Sequence, residues 1–174
     1  MKAPVIWLTG IPGSGKTTIA LELQKFYQNK GLPVDILDGD EIRKTLSKDL
    51  GFSPEDRKVH NRRVIFVAQI LTKNGVTTIV PLISPYRETR AFARKEIPNF
   101  IEVWVKASVD ECIKRDPKGL YKKAQAGEIK NLTGLQAPYE EPENSELVVD
   151  TENQSVDESV ELITSTVKKL GFLN

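Results

Sequence analysis

The chain has 174 residues, one domain's length, and its 39% hydrophobic content supplies a core beneath a surface of 28% charged residues. Lys and Arg number 25 against 24 Asp and Glu, so a net charge of +1 gives no field that speaks for nucleic acid or an anionic membrane. One cysteine excludes an internal disulfide and a thiolate metal cage, and one histidine removes most zinc constellations and any nucleophile that needs a His to spare.

At the amino terminus, Lys2 precedes a short apolar run that leads straight into Gly10-Ile11-Pro12-Gly13, without the small-residue cleavage site of a signal peptide. It reads as a buried first strand at 5–9. No stretch approaches the ~18 apolar residues of a membrane span, and a cytoplasmic protein is expected. Ile19, Leu23 and Phe26 then mark a helix ending near Gly31, and a second strand is expected at 34–37. Ser53 with Pro54 reads as a cap followed by Pro at the first helical position, ahead of a face of Val64, Val67, Ala68 and Leu71. Further strands fall at 77–83, 101–105 and 147–150. Ser108 with Glu111, and Ser155 with Glu158, have capping-box spacing, and the last helix carries a stripe of Val156, Val160, Ile163, Val167 and Leu170. This alternation predicts one α/β domain over residues 1–174, a five-stranded, mostly parallel sheet with helices on both faces. Residues 116–142 depart from the pattern. Rich in Lys, Gly and Pro and poor in apolar periodicity, they read as a long, mobile, lid-like excursion.

Gly10-Ile11-Pro12-Gly13-Ser14-Gly15-Lys16-Thr17 matches G-x-x-x-x-G-K-[ST] between a strand and a helix, the context a phosphate-cradling P-loop requires. Its glycines let backbone N–H groups and the positive helix start turn toward phosphate. Lys16 is expected at the β and γ phosphates, and Thr17 at Mg²⁺. The nearest string to a guanine-specific element, Asn29-Lys30-Gly31-Leu32, lacks its Asp, and the chain is small for a motor. Phosphoryl transfer to a small molecule is the expectation.

Leu37-Asp38-Gly39-Asp40 falls at the carboxyl end of the second strand, where open α/β sheets place ligand contacts. Phosphoryl transfer needs one carboxylate to orient or deprotonate the attacking hydroxyl and another to hold Mg²⁺, which makes Asp38 and Asp40 candidates. Asp40 also reads as the cap of a following helix, and the two roles can coexist. Arg43, Arg57, Arg62, Arg63, Arg87 and Arg90 suit anion recognition, but composition favours solvated helix faces, and they become informative only through their motifs. Cys112, Trp7 and Trp104 read as structural.

The particular strings are Asp49-Leu50-Gly51-Phe52-Ser53, Asp56-Arg57, Arg62-Arg63, Ile83-Ser84-Pro85-Tyr86-Arg87 and the run from Arg115-Asp116-Pro117-Lys118-Gly119 to Lys130, with Thr133-Gly134 beyond. In these, together with the P-loop and the acidic turn, the chain resembles the adenylylsulfate (APS) kinases over nearly its whole length. The resemblance implies a P-loop NTPase fold with a lid. It implies transfer of the γ-phosphate of ATP to the 3′-hydroxyl of adenosine 5′-phosphosulfate, giving 3′-phosphoadenylylsulfate and ADP with Mg²⁺, in sulfate activation. By the same resemblance Gly13, Ser14, Gly15, Lys16, Thr17 and Thr18 hold the ATP phosphates and metal. Asp38 and Asp40 organise metal-bound water and the accepting hydroxyl, and Asp40, Arg43 and Arg57 contact APS. Phe52 stacks on its adenine, Ile83 and Ser84 line its pocket, and Lys118 belongs to the lid that closes on both nucleotides. A homodimer is implied, and association with an ATP sulfurylase is compatible with it. Ser84 carries two readings: the phosphoserine described for the family's I-S-P serine, or a pocket wall and N-cap ahead of Pro85.

Two positions depart from the family. His60 stands where the family usually has a substrate-contacting Asn; an imidazole also donates a hydrogen bond, with a charge expected to vary near neutral pH, and a lone His reads equally as a helix-surface residue. Leu132 stands where the family generally has an aromatic that sandwiches adenine against Phe52. Leucine keeps apolar contact and loses one stacking face, worth about 1 kcal/mol by analogy with aromatic pairs. These departures keep open a P-loop kinase for another hydroxyl substrate, such as a sugar acid or nucleoside. A nucleotide-binding regulatory module without turnover is the third reading.

Overall fold

The computed structural model describes residues 3–174. Strand β1 (Val5–Thr9) is buried along its whole length, and its alternation divides the core. Ile6 and Leu8 face one side, where they meet Ile19, Leu23 and Tyr27 of helix α1 (Lys16–Asn29) and Ile163 and Val167 of α7 (Val156–Lys169). Val5 and Trp7 face the other, against Val64, Ile65 and Ala68 of α3 (Pro54–Lys73) and Ala93 of α4 (Arg87–Glu96). A strand buried on both faces has no polar side, which is why its sequence is an unbroken apolar run.

Around β1 the sheet adds β2 (Val34–Ile36), β3 (Thr77–Pro81), β4 (Phe100–Lys106) and β5 (Leu147–Asp150) in the order β2-β3-β1-β4-β5. All four pairings are parallel, with Val5 opposite both Thr78 and Phe100. Three short helices complete the order: α2 (Gly39–Lys44), α5 (Val109–Arg115) and α6 (Leu120–Gln125). The expected α/β architecture is present, with β3 stopping at Pro81 rather than 83. The chain turns there toward Ser84, whose φ of 41° is incompatible with a strand.

The helix starts match the expected caps in part. Ser53 accepts from the Asp56 N–H as expected, and Ser155 with Glu158 forms the complete reciprocal box. Ser108 accepts from the Glu111 N–H, but Glu111 turns to Arg115, and Glu152 accepts the Ser108 N–H in its place. The cap of α2 is Asp38, which accepts from Asp40 and Glu41, not Asp40. Ser84 caps nothing. Helix α4 begins at Arg87, whose N–H donates to the Glu140 carboxylate at 2.7 Å. In α7, Ile163 and Val167 are core, while Val156 and Leu170 at the stripe's ends are exposed. Trp7 is fully buried, whereas Trp104 is half-buried, with Lys106 5.6 Å from its ring.

Residues 116–142 hold more regular structure and more buried apolar side chains than their composition suggests. They contain α6, whose Tyr121 and Lys122 N–H groups donate to the Asp116 carboxylate. Tyr121, Ala124 and Leu132 form a third apolar cluster with Ile11 of the P-loop and Cys112 of α5. Ile11 and Cys112 lie outside the segment, so no local periodicity announces the cluster.

Candidate active site

The turns that follow the strands surround a cavity of about 760 Å³. This is the crevice beyond the carboxyl ends of a parallel sheet, where the strand order reverses direction around β1. Its floor is the P-loop after β1. Gly15, at φ 99°, turns the chain into α1 in a conformation that side chains resist, and a Cβ on Gly10 would lie 2.4 Å from the Val105 carbonyl oxygen. Six helices have a carboxylate or hydroxyl on their first N–H groups: Asp38, Ser53, Glu140, Ser108, Asp116 and Ser155. Helix α1 has no side-chain cap and no acidic residue in its first turn. Its free N–H groups and positive end therefore face the cavity uncompensated.

Lys16 lies beneath this start, with Nζ donating to the carbonyls of Gly10 at 2.8 Å and Ile11 at 2.7 Å and to Ser14 Oγ at 3.3 Å. Burial pulls its ammonium down to about 7 from an ordinary 10.5. Gly13, Gly15, Thr17 and Thr18 line the cavity; Gly10 and Ser14 are buried below it and shape the loop.

Across from the loop stand Asp38 and Asp40, both on the wall. The two N–H groups that Asp38 caps go to Oδ1, which leaves Oδ2 outside the cap. Asp40 Oδ2 instead receives Lys118 Nζ at 2.6 Å from the lid. Among the described residues no three His, Cys, Asp or Glu side chains gather as a metal cage. A carboxylate and the Thr17 hydroxyl on one cavity fit Mg²⁺, which takes one or two protein oxygens and completes its shell with phosphates and water.

The second half of the cavity is cationic and aromatic. The Arg43 guanidinium lies 4.5 Å from the Phe52 ring centroid and donates to the Gly51 carbonyl. Arg57 is committed to the lid, through the Asn131 carbonyl at 2.7 Å and Thr133 Oγ1, and holds the Phe52 carbonyl at 2.9 Å. Phe52 itself is 62% exposed, so its ring stays largely open to the cavity beyond the Arg43 contact. Ile83 and Ser84 complete the wall. Ser84 Oγ accepts from Trp7 Nε1 at 3.0 Å and donates to Thr9 Oγ1 at 3.0 Å, so its hydroxyl is fully engaged.

Two sequence expectations end differently. His60 is buried, its Nδ1 3.0 Å from Ser47 Oγ and its Nε2 unpartnered. Burial, then the charges of Arg43 and Arg63, push it down to about 4, so it is neutral at pH 7 and neither a surface residue nor a neutral-pH switch. Leu132 is 7% exposed inside the lid's own cluster and does not reach the cavity beside Phe52. The wall also includes Asn61, Thr151 and Gln154, which were not singled out by sequence, and Arg115, to which the sequence assigns no role of its own. Thr151 follows β5 as the P-loop follows β1, and that strand-end position was the available signal. It accepts from Arg115 Nη1 and donates to the Ser14 carbonyl. Asn61 is a buried amide in a helix that otherwise looks apolar and basic, and nothing local marks it.

An uncompensated helix start above a buried lysine, opposed by carboxylates and roofed by a lid, is how P-loop kinases of small molecules are built. The adenylylsulphate kinase family model matches residues 2–150. A probable adenylyl-sulfate kinase of Pyrococcus abyssi is 55% identical over 173 residues, 99% of each chain. Another from Aeropyrum pernix is 47% identical over 171 residues, covering 96% of this chain and 93% of that one. The solved Mycobacterium tuberculosis APS kinase, in complex with AMPPNP and APS, aligns with a TM-score of 0.93 at 39% identity, covering 96% of this chain and 98% of that one. The chain belongs to the adenylylsulphate kinase family.

Proposed function

We propose that the protein transfers the γ-phosphate of ATP to the 3′-hydroxyl of adenosine 5′-phosphosulfate, giving 3′-phosphoadenylylsulfate and ADP. The observation that carries this reading is the division of one cavity into two halves: an anion cradle at the start of α1, and an exposed Phe52 ring flanked by Arg43 and Arg57. A flat aromatic beside guanidinium groups suits a nucleotide acceptor that carries an anionic tail. A sugar acid offers no base for that ring to stack on, so the acceptor-kinase alternative is less well served.

In this reading the N–H groups of α1 and the Lys16 ammonium hold the ATP phosphates. Thr17 and the free Asp38 oxygen would hold Mg²⁺, which would supply neutralisation of the phosphate charge. Asp40 orients the accepting hydroxyl toward the phosphate. Arg43 and Phe52 hold the acceptor's base side, Arg57 ties that wall to the lid, and lid closure excludes water, the competing nucleophile. His60 and Ser84 shape the acceptor wall, and Ser84 is no covalent relay, since transfer between two bound nucleotides needs no protein nucleophile. The retained carboxylates and lid speak against a module without turnover.

The reading carries a cytoplasmic setting with it, where ATP is supplied; no helix among the described residues is long and apolar enough to cross a membrane. A homodimer has an available surface in Phe66 and Ile70, exposed one turn apart on α3. Association with an ATP sulfurylase would place the maker of APS beside its consumer. Titration calorimetry with APS in the presence of Mg·ADP tests the site. The expected result is binding that weakens about fivefold or more in Phe52→Ala, a stacking loss of about 1–3 kcal/mol. Equal affinity in both proteins would refute the assigned acceptor half.

A further inference from the structure

Arg90 lies one turn into α4 and is only 3% exposed, although nothing in its sequence surroundings separates it from the solvated arginines nearby. Its guanidinium is used on every side. Nη1 donates to the Ser84 carbonyl at 2.6 Å, and Nη2 to the Glu140 carbonyl at 2.5 Å. Nε meets Glu102 Oε1 at 2.8 Å as an ion pair, without hydrogen-bond alignment. Glu102 is itself buried in the middle of β4, and its second oxygen takes Arg94 at 3.2 Å.

These contacts join parts that chain connectivity leaves apart. Ser84 belongs to the acceptor wall and is held at φ 41°, a strained conformation that a non-glycine residue keeps only where its surroundings impose it. Glu140 is at the trailing end of the lid, where its N–H donates to the Pro85 carbonyl at 2.8 Å and its carboxylate caps α4. Beside it, the Tyr139 ring lies 5.7 Å from the Arg90 guanidinium, and its hydroxyl stands 2.9 Å from Thr9 Oγ1. Thr9 in turn binds the Ile83 carbonyl and the Ser84 hydroxyl. A strained wall and a lid foot are thus bolted to each other and to the central sheet through one side chain.

We infer that Arg90 is a positioning residue that makes the acceptor wall and the trailing foot of the lid one rigid unit, so that acceptor binding depends on it while nucleotide binding at the P-loop does not. The P-loop half of the cavity receives none of its contacts. The planar fork is needed because three acceptors at different angles are served at once; a lysine in its place serves one or two. Arg94, fastened to Glu146 and Glu102, holds the stretch between that foot and β5 to β4.

This inference rests on the proposed acceptor, and the experiment separates the two. In Arg90→Lys, made in the full chain, the KM for APS is expected to rise about tenfold or more, with Kd for Mg·ADP changed by less than about threefold. Hydrogen exchange at the Glu140 amide should accelerate by about tenfold while the β1 amides keep their protection. Exchange and ADP affinity need no acceptor, so they read the clamp even if wild-type protein, assayed alongside, ignores APS. Should Arg90→Lys not fold, Tyr139→Phe, which loses one hydroxyl and keeps the ring, is expected to raise the APS KM by about threefold with ADP binding intact. An unchanged APS KM together with unchanged Glu140 exchange overturns the inference. So does a parallel loss of APS and ADP affinity in Arg90→Lys, which would make the residue an ordinary brace of the fold.

Discussion

Lys118 Nζ, carried by the lid, lies 2.6 Å from Asp40 Oδ2 on the opposite wall of the cavity. The pair closes the site with the two side chains that the proposed reaction needs for substrate. Asp40, through its hydrogen bond, raises the Lys118 ammonium above its ordinary value. Both side chains are more than half exposed, and such pairs are worth about 0–1 kcal/mol, so a substrate hydroxyl or phosphate can displace either partner cheaply. Asp40→Asn should therefore lower kcat by about 100-fold or more, the size of a lost general base, while Lys118→Ala should act mainly on KM. Initial rates across both substrates separate these effects; equal, small changes in kcat for the two variants would contradict the assigned roles.

If transfer is direct, as proposed, Ser84→Ala should remain a working enzyme with kcat within about tenfold of wild type, its hydroxyl serving as a structural link. Its cost is in stability. Removing Oγ leaves the Trp7 indole N–H without its acceptor in the core, a penalty of about 1–3 kcal/mol. Thermal unfolding should register the loss, and intact-protein mass after incubation with Mg·ATP should show no added phosphate on Ser84. A stoichiometric phosphoprotein, with Ser84→Ala inert, is the opposite result.

His60 gives a signed pH effect. Its folded value of about 4 lies below the ordinary 6.5, so above pH 6.5 the group is neutral in both states and opposes nothing. As pH falls from about 6.5 to about 4 the unfolded chain takes the proton first, and stability drops. Denaturant titrations of His60→Asn should show a shallower loss over that window. Between pH 6 and 8 the acceptor KM should carry no His60 limb, and a limb that vanishes in His60→Asn would refute its neutrality.

Lys16 makes the nucleotide a proton-linked ligand. With the free ammonium pulled to about 7, much of it is neutral at pH 8, and bound phosphates favour the charged form. Binding of Mg·ADP at pH 8 should take up protons, and affinity should weaken as pH rises beyond 7. Calorimetry in two buffers of different ionisation enthalpy measures the uptake directly. Identical heats in both buffers would count against the shift.

Leu132→Phe restores the aromatic of the family pattern, and it should not tighten acceptor binding. The side chain points into the packed cluster of Ile11, Cys112 and Tyr121, where added volume costs about 1–3 kcal/mol through strain. A fall in melting temperature with an APS KM no better than wild type is the expected pair of results. A lower KM would mean that the side chain faces Phe52 when acceptor is bound.

Much of this molecule is legible in its sequence, and for an identifiable reason. The P-loop, Leu37-Asp38-Gly39-Asp40 and the Ser53 cap are contiguous strings whose chemistry is local, so their places on the fold followed from the residues alone. What stayed hidden is non-local. The lid's order depends on Ile11 and Cys112, distant in the chain, and the burial of Arg90 depends on a glutamate buried in β4 that looks, by sequence, like a solvent-facing charge. Likewise His60 could be named but its neutrality could not, because that follows from burial and from Arg43 and Arg63 arriving by separate routes. Side-chain direction was the other gap: a positive φ at Ser84 and the inward turn of Leu132 leave no periodic trace.

The most direct test of the central claim is ADP release from Mg·ATP as APS is titrated, with the nucleotide product resolved by mass and alternative hydroxyl acceptors run in parallel. The account predicts saturable, APS-dependent turnover that yields one 3′-phosphoadenylylsulfate per ADP, with far slower release on a sugar acid or a nucleoside. Turnover on one of those acceptors without a response to APS would contradict it, as would ATP binding with no turnover on any of them.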